Sequence, residues 1–313
     1  MHNNIKSGIF GVCIGDALGV PVEFRSREQL KRSPVTRMRA MGTHRQPLGT
    51  WSDDGSLTLC LAESLCNGYD LEDIALKFLQ WYNTEIWTPH GKIFDIGIAT
   101  RQAIYRISKG GIPQLCGGTS EFDNGNGSLM RILPLLFYIK DFSIEKRFDV
   151  VKEVSSITHG HIRSVISCFI YLEFLIEILN KSERLESYQK MQTKVKDFLN
   201  NNPICSQNEM DLFDRILSND ISTFPEDEIK SSGYVLHSLE ASLWCFMNSE
   251  SYSEAVLKAV NLGEDTDTTG AITGGIAGLF YGFENIPEEW VSELVRKDDI
   301  EKLCNKLENR LMK

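Results

Sequence analysis

A ladder of glycines near the C-terminal end of the chain constrains the fold more than any other feature. In "NLGEDTDTTGAITGGIAGLFYG", residues 261–282, Gly270, Gly274, Gly278 and Gly282 recur every four positions. On a helix that spacing keeps them on one face. Each glycine in a helix interior costs about 1 kcal/mol relative to alanine. A smooth face for close packing against another helix is the simplest compensation, so a core helix is predicted here.

The helical period dominates elsewhere. Leu57, Cys60, Leu61, Ser64 and Leu65 follow the i, i+3, i+4, i+7, i+8 pattern. So do Ile93, Ile96, Thr100, Ile104 and Ile107. Val235, Leu239, Leu243 and Phe246, and then Ile300, Leu303, Cys304, Leu307 and Leu311, repeat it. Alternating strand-like runs are scarce. The chain is predicted to be all-α, with ten to fourteen helices in one compact domain over residues 1–313. The polar stretch 181–230 reads as surface helices joined by loops, a variable segment rather than a domain boundary.

Composition narrows the function classes. A net charge of −10 argues against a general binder of nucleic-acid backbones, which needs a basic face. A small anionic ligand stays open if cations or helix termini offset the charge. No run of about 18 apolar residues is evident, so no membrane span is expected. The longest apolar run, Val165 to Leu179, is interrupted by Tyr171, Glu173 and Glu177 and reads as a buried helix. "IFGVCIGDALG" near the N-terminus carries Asp16 and leads into a motif instead of a cleavage site, so no signal peptide is expected. None of the eight cysteines forms a C-x-x-C pair, which suits reduced core thiols and a cytoplasmic location.

Glycines and charges gather in four places: 15–23, 49–56, 117–128 and 261–270. Each borders an apolar helix, which suggests one shared cleft. Asp265 and Asp267 would point about 200° apart on a regular helix, so they converge only from a turn that precedes one. "GTWSDDGSLTLCLAESL", 49–65, has the same construction: Ser52, Asp53 and Asp54 in a turn, with a helix predicted from about Ser56. Either turn alone is explained by helix capping. Two such turns facing each other would repel without a cation, and their hard oxygen donors suit Mg²⁺ or Mn²⁺ rather than Zn²⁺. Glu23, in "GDALGVPVEF", could reach the same place, or be a surface residue after a helix end.

"EFDNGNGSLMRILPLL", 121–136, reads as a glycine–asparagine turn entering a helix. Gly125 and Gly127 permit positive φ and close approach of backbone to an anion. Asn126 and Ser128 add hydrogen-bond partners, and Asp123 could serve as acid, base or hydroxyl acceptor. An ordinary loop is the plainer explanation of this stretch alone. No P-loop motif occurs. His159 and His161, in "ITHGHIRS", read as hydrogen-bonding residues at a helix start rather than metal ligands.

Taken together, "GDALGVPVEF", "GTWSDDGSLTL", "DNGNGSLMRILPL", "ITHGH", "SGYVLHSLEASLW" and "NLGEDTDTTGAITGGIAGLFYG" resemble the ADP-ribosylglycohydrolase family. They stand in the family's order across residues 8–282, and the ordered set is far more specific than any one piece. The resemblance implies a compact all-α fold, a dinuclear Mg²⁺ or Mn²⁺ centre, and hydrolysis of the bond between C1″ of ADP-ribose and an acceptor. By motif it places Ser52, Asp53, Asp54, Asp265, Asp267 and Thr268 at the metals. Glu23 matches an acid beside the metals and is favoured to position or deprotonate the attacking water, with Asp123 as the alternative. Asn126, Gly127 and Ser128 would hold ribose and diphosphate, His159 lies near the nucleotide, and Tyr234 falls where relatives place an aromatic against adenine. The implied partner is an ADP-ribosylated protein or small-molecule conjugate.

The chain departs from the family pattern at Gly55, at Glu264 where glycine is frequent, and at His237 where aspartate is frequent. Glu264 would add charge near the metals. An isoprenoid diphosphate synthase also sets paired acids on helices, but its D-D-x-x-D motif lacks the third acid here. A non-catalytic ADP-ribose binder retaining the fold is the other reading.

Overall fold

The computed structural model describes residues 2–312. Its α-helices are α1 (His2–Gly19), α2 (Arg27–Arg32), α3 (Asp53–Leu65), α4 (Leu71–Thr84), α5 (Ile98–Ser108), α6 (Leu136–Ile139), α7 (Ile144–Ser156), α8 (Ile162–Leu179), α9 (Arg184–Asn201), α10 (Gln207–Asp211), α11 (Asp214–Leu217), α12 (Val235–Met247), α13 (Tyr252–Asn261), α14 (Thr266–Tyr281), α15 (Glu288–Glu293) and α16 (Lys297–Leu311). Sixteen exceeds the expected range because five helices have six residues or fewer. No strand occurs among the described residues, and pairing is limited to isolated bridges. The fold is all-α, as the periodicity requires.

The glycine ladder belongs to α14, and its partner is α1. A Cβ on Gly274 would lie 2.2 Å from the Gly11 carbonyl oxygen, and one on Gly270 2.4 Å from that of Gly15. Gly278 meets the Ser7 carbonyl oxygen at 2.3 Å in the same sense. The two backbones touch with no side chain between them. The mate of this ladder is Gly11, Gly15 and Gly19 on α1, which carry the same four-residue spacing and which the sequence pattern also offered. Gly282 is not part of the seam. Its φ of +89° ends α14, a conformation that favours glycine.

Helix α8 runs through the interior, as its apolar run predicts. Glu173 is buried there against the Arg147 guanidinium, and Glu177 pairs with Lys194 of α9. The polar stretch 181–230 forms α9 to α11 with their loops. Tyr188, Met191 and Val195 of α9 are fully buried, so this segment closes one side of the core. Asn4–Val22 corrects the expectation that no segment is long and apolar enough to span a membrane; it meets that test, and 94% of it is buried within the fold.

Two helix starts differ from expectation. Helix α3 begins at Asp53 rather than near Ser56, with Ser52 as the N-cap. No α-helix follows residues 124–128; the chain makes turns and a short 3₁₀ segment, Leu133–Leu135, before α6. Pro134 and the buried loop around it prevent a regular helix from starting earlier.

Candidate active site

The C-terminal part of α1 and the first turns of α3 and α14 meet around one group of carboxylates. Asp16, within α1, is fully buried and accepts hydrogen bonds from the backbone N–H groups of Ser52 (2.9 Å) and Gly55 (2.8 Å). A carboxylate from one helix thus satisfies the open N-terminus of another. This fixes Asp53 and Asp54, both buried in the first turn of α3. Gly55 fits for a steric reason: a Cβ there would lie 2.8 Å from the Trp51 ring.

Asp265 is the N-cap residue of α14 and Asp267 lies in its first turn, so the pair straddles the boundary between turn and helix. Gly19 has no Cβ to collide with the Asp267 N–H, which would be 2.3 Å away. The glycine seam therefore seats the second acidic turn against the end of α1. Glu23, just beyond α1, brings a carboxylate oxygen within 4.8 Å of oxygens from Asp265 and Asp267.

These groups stand in a cleft of about 460 Å³, within the usual range for small-molecule sites. Its walls include Glu23, Asp53, Asp54, Asp123, Asn126, Gly127, His159, Asp265, Asp267 and Thr268, which covers most of the residues the sequence singled out. The Asn126 side-chain amide donates to Asp265 Oδ2 at 2.7 Å and joins the loop to the acidic cluster. Gly125 and Gly127 do not use positive φ. Gly127 is needed for close approach instead, since a Cβ would lie 2.7 Å from His159 Cε1. His159 hydrogen-bonds Thr158 Oγ1, and burial lowers its pKa to about 3, so it is a neutral partner in the cleft. Asp123 lines the cleft while its Oδ2 accepts from the Ser120 N–H.

Four residues stand elsewhere than their motifs suggest. Ser128 is fully buried and shares hydrogen bonds with Ser155 and Cys168, facing away from the cleft. Ser52 is not in the cleft wall; its hydroxyl lies 3.2 Å from Asp54 Oδ2. Tyr234 packs edge-on against His237, and its backbone bridges Gly125. Glu264 has a φ of +61° and an exposed side chain, so glycine would suit that backbone, and its charge is turned to solvent. His161 caps α8 as expected, accepting from the Arg163 N–H. Asp95 and Thr100 also stand in the cleft wall, and His44 beside Glu23, none of them marked as a site residue by the sequence. Each is a lone polar residue in a loop or helix start without a motif. Asp16 carried a usable signal, a carboxylate inside an apolar helix.

The donor set fits divalent cations. Burial raises the carboxyl pKa values of Asp53, Asp54 and Asp267 well above the ordinary range, and neighbouring carboxylates raise them further. Burial likewise raises Asp16 and Glu23 to about 7, and Asp265 upward. Asp54 Oδ1 is buried without a hydrogen-bond partner. A crowded set of oxygen donors, one of them orphaned, is what Mg²⁺ or Mn²⁺ would satisfy.

A stability measurement checks this. Folding raises these pKa values, so between the ordinary carboxylate range and about pH 7 the folded chain keeps protons that the unfolded chain has released. Stability of chelator-treated protein should therefore fall as pH rises through that window. The loss should be on the order of a few kcal/mol. Added Mg²⁺ or Mn²⁺ should restore the Tm at the high-pH end, and equal Tm values across the window in chelator would refute the buried-charge account.

An all-helical scaffold that gathers acidic helix starts beside a glycine–asparagine loop defines a cleft whose oxygen donors could hold divalent cations. The whole chain, residues 1–313, matches the ADP-ribosylglycohydrolase family model, and the protein belongs to that family. It is similar to ADP-ribosylarginine hydrolase Tri1 of Serratia proteamaculans, 34% identical over 309 residues, covering 96% of this chain and 78% of the relative. ADP-ribosyl-[dinitrogen reductase] glycohydrolase of Rhodospirillum rubrum is 26% identical, with 95% and 92% covered. A solved ADP-ribosylglycohydrolase-related protein complex matches with a TM-score of 0.82 and 30% identity, covering 99% of both chains. The protein is thus an ADP-ribosyl glycohydrolase.

Proposed function

We propose that this enzyme is a divalent-cation-dependent hydrolase that releases ADP-ribose from an arginine conjugate on a protein or small molecule. The observation that carries the cation requirement is the convergence of Asp53, Asp54, Asp265 and Asp267 in one cleft, with Thr268 beside them. The acceptor follows from two supports. Relatives at 34% and 32% identity carry the name ADP-ribosylarginine hydrolase. A guanidinium leaving group is cationic, and Asp95 and Asp123 give the cleft acidic walls beyond the central cluster. The free thiols, seven of the eight buried, suit a reducing cytoplasm.

The residues divide the work as follows. Cations held by the four aspartates with Thr268 would orient the ribose hydroxyls and make water a better nucleophile at neutral pH. Gly125 and Gly127 give the diphosphate a backbone wall without side chains, while the Asn126 amide is spent on Ser238 and Asp265; remote binding energy there orients the reactive end. His159 stays neutral there and adds no competing charge. Glu23 is buried next to the cluster with a pKa raised to about 7, which suits exchange of a proton with water or leaving group. Glu23, and not Asp123, brings a carboxylate oxygen within 4.8 Å of Asp265 and Asp267, so it is the stronger candidate for that role.

Incubation with ADP-ribose linked to arginine, to serine, to an acetyl ester and to a nucleic-acid base tests the acceptor. The arginine conjugate should be cleaved fastest, and chelation should stop the reaction. Binding of ADP-ribose with no turnover of any conjugate would favour a non-catalytic binder.

A further inference from the structure

Glu23 has a neighbour that no motif announced. The chain from Met41 to Gln46 forms a tight turn closed by a hydrogen bond from the Met41 N–H to the Gln46 carbonyl (2.6 Å). The turn is held against the end of α1. The Thr43 N–H donates to the Pro21 carbonyl at 3.0 Å, and the Thr43 hydroxyl to the Glu23 carbonyl at 2.7 Å. Gly42, with φ of +66°, lets the backbones meet; a Cβ there would lie 1.9 Å from the Pro21 carbonyl oxygen. Met41 and Arg45 also take left-handed conformations, at φ of 70° and 54°. Such conformations persist only where the surroundings enforce them.

The product of this geometry is the placement of His44. Its Nε2 is hydrogen-bonded to Glu23 Oε2, and the two side chains are 13% and 7% exposed. The ring is clamped between Phe94, with centroids 5.2 Å apart, and Phe24, at 6.0 Å. Asp95 stands close enough that one ligand-type atom from each of Glu23, His44 and Asp95 lies within 4.8 Å of the others. Glu23 is therefore shared between two groups, His44 with Asp95 on one side and Asp265 with Asp267 on the other.

We propose that His44 is a positioning residue: through its Nε2 hydrogen bond it holds the Glu23 carboxylate in the cleft, at the distance from Asp265 and Asp267 that the reaction needs. The Glu23 side chain has three rotatable bonds, and the hydrogen bond from His44 fixes which way its carboxylate turns. Without His44 that restraint is lost and the carboxylate is free to take other rotamers. A group that only orients a reacting residue is worth about 10- to 100-fold in rate. This inference rests on the assignment of Glu23 under the proposed function.

The test uses the full chain with His44→Ala, His44→Leu and His44→Gln. Alanine and leucine remove the donor, leucine while filling most of the space. Glutamine offers an amide N–H at similar reach. We expect circular dichroism and ADP-ribose affinity to stay near wild type. The kcat of His44→Ala and His44→Leu should fall about 10- to 100-fold with KM changed less than about threefold, and His44→Gln should recover most of the loss. A crystal structure of His44→Leu should show the Glu23 carboxylate displaced, a readout that needs no turnover. Wild-type turnover on ADP-ribosylarginine reports on the functional proposal alone. The His44 inference is overturned by kcat within twofold of wild type in His44→Leu, by equal loss in the leucine and glutamine variants, or by an unmoved Glu23 in the crystal.

Discussion

Asp267→Asn and Asp265→Ala should each abolish release of ADP-ribose, by more than about 100-fold, beyond the range of groups that only orient a ligand. Asp267 is buried and Asp265 half-buried at the start of α14, and Asp267 faces Glu23 and Asp54. Removing either takes away a donor that no water-exposed side chain can replace. Asp267→Asn is the cleaner probe, because Asp265→Ala also breaks the hydrogen bond from Asn126. Stability should move the other way. In chelator, Asp267→Asn removes one member of a self-repelling buried cluster, so its Tm should equal or exceed that of the wild type. Loss of activity together with loss of stability in chelator would point to a folding role. Undiminished turnover in both variants, with or without chelator, would remove the cluster from the reaction.

The second large effect is on folding. Gly274→Val and Gly15→Val should lower stability by about 4 kcal/mol or more, in the exceptional range for a single substitution. At both positions the new Cβ would meet a main-chain carbonyl oxygen, at 2.2 Å for Gly274 and 2.0 Å for Gly15. A backbone atom cannot rotate aside as a side chain can, so the helices must separate and lose dispersion contacts along the seam. Soluble yield and Tm report the result. Gly97→Ala is the control: its nearest neighbour, Thr100 Oγ1, is 3.9 Å away, so the change should cost about 1 kcal/mol or less. Near-wild-type Tm in Gly274→Val would show that the two helices can move apart freely.

Much of this architecture could be read from the sequence, for identifiable reasons. Period 3.6 in Leu57–Leu65, Val235–Phe246 and Ile300–Leu311 marked α3, α12 and α16; α16 buries one face, whereas α3 and α12 are buried on nearly every side. The glycines of α14 announced a close partner, since their cost demands a return. Both acidic turns open a helix, α3 behind Ser52 and α14 behind Asp265, and the first turn of a helix is where aspartates are favoured. Helix borders were less legible. Asp53 and Asp54 read as a turn because aspartate suits caps, and only Asp16, thirty-odd residues away, makes that position a helix start. The pattern Ile93–Ile107 begins in a loop and enters α5 only at Ile98, because apolar spacing does not mark where a chain leaves the surface. His44 and Asp95 carried no pattern, and their importance depends entirely on what folding brings beside them. Ser128 illustrates the converse: it sat in a persuasive motif, yet its hydroxyl is spent on Ser155.

The α1–α14 seam also says where this scaffold can change. The interval between the acids on the two helices is fixed by peptide atoms in direct contact, so amino-acid replacement has almost no means of adjusting it by small steps. The mouth of the cleft is built differently. Phe24, Ile98 and Phe122 stand there 70%, 79% and 95% exposed, with little packing to lose. A lineage built on this chain is therefore free to try new acceptors at the entrance while its reactive centre stays locked, an inheritance of chemistry with open choice of target.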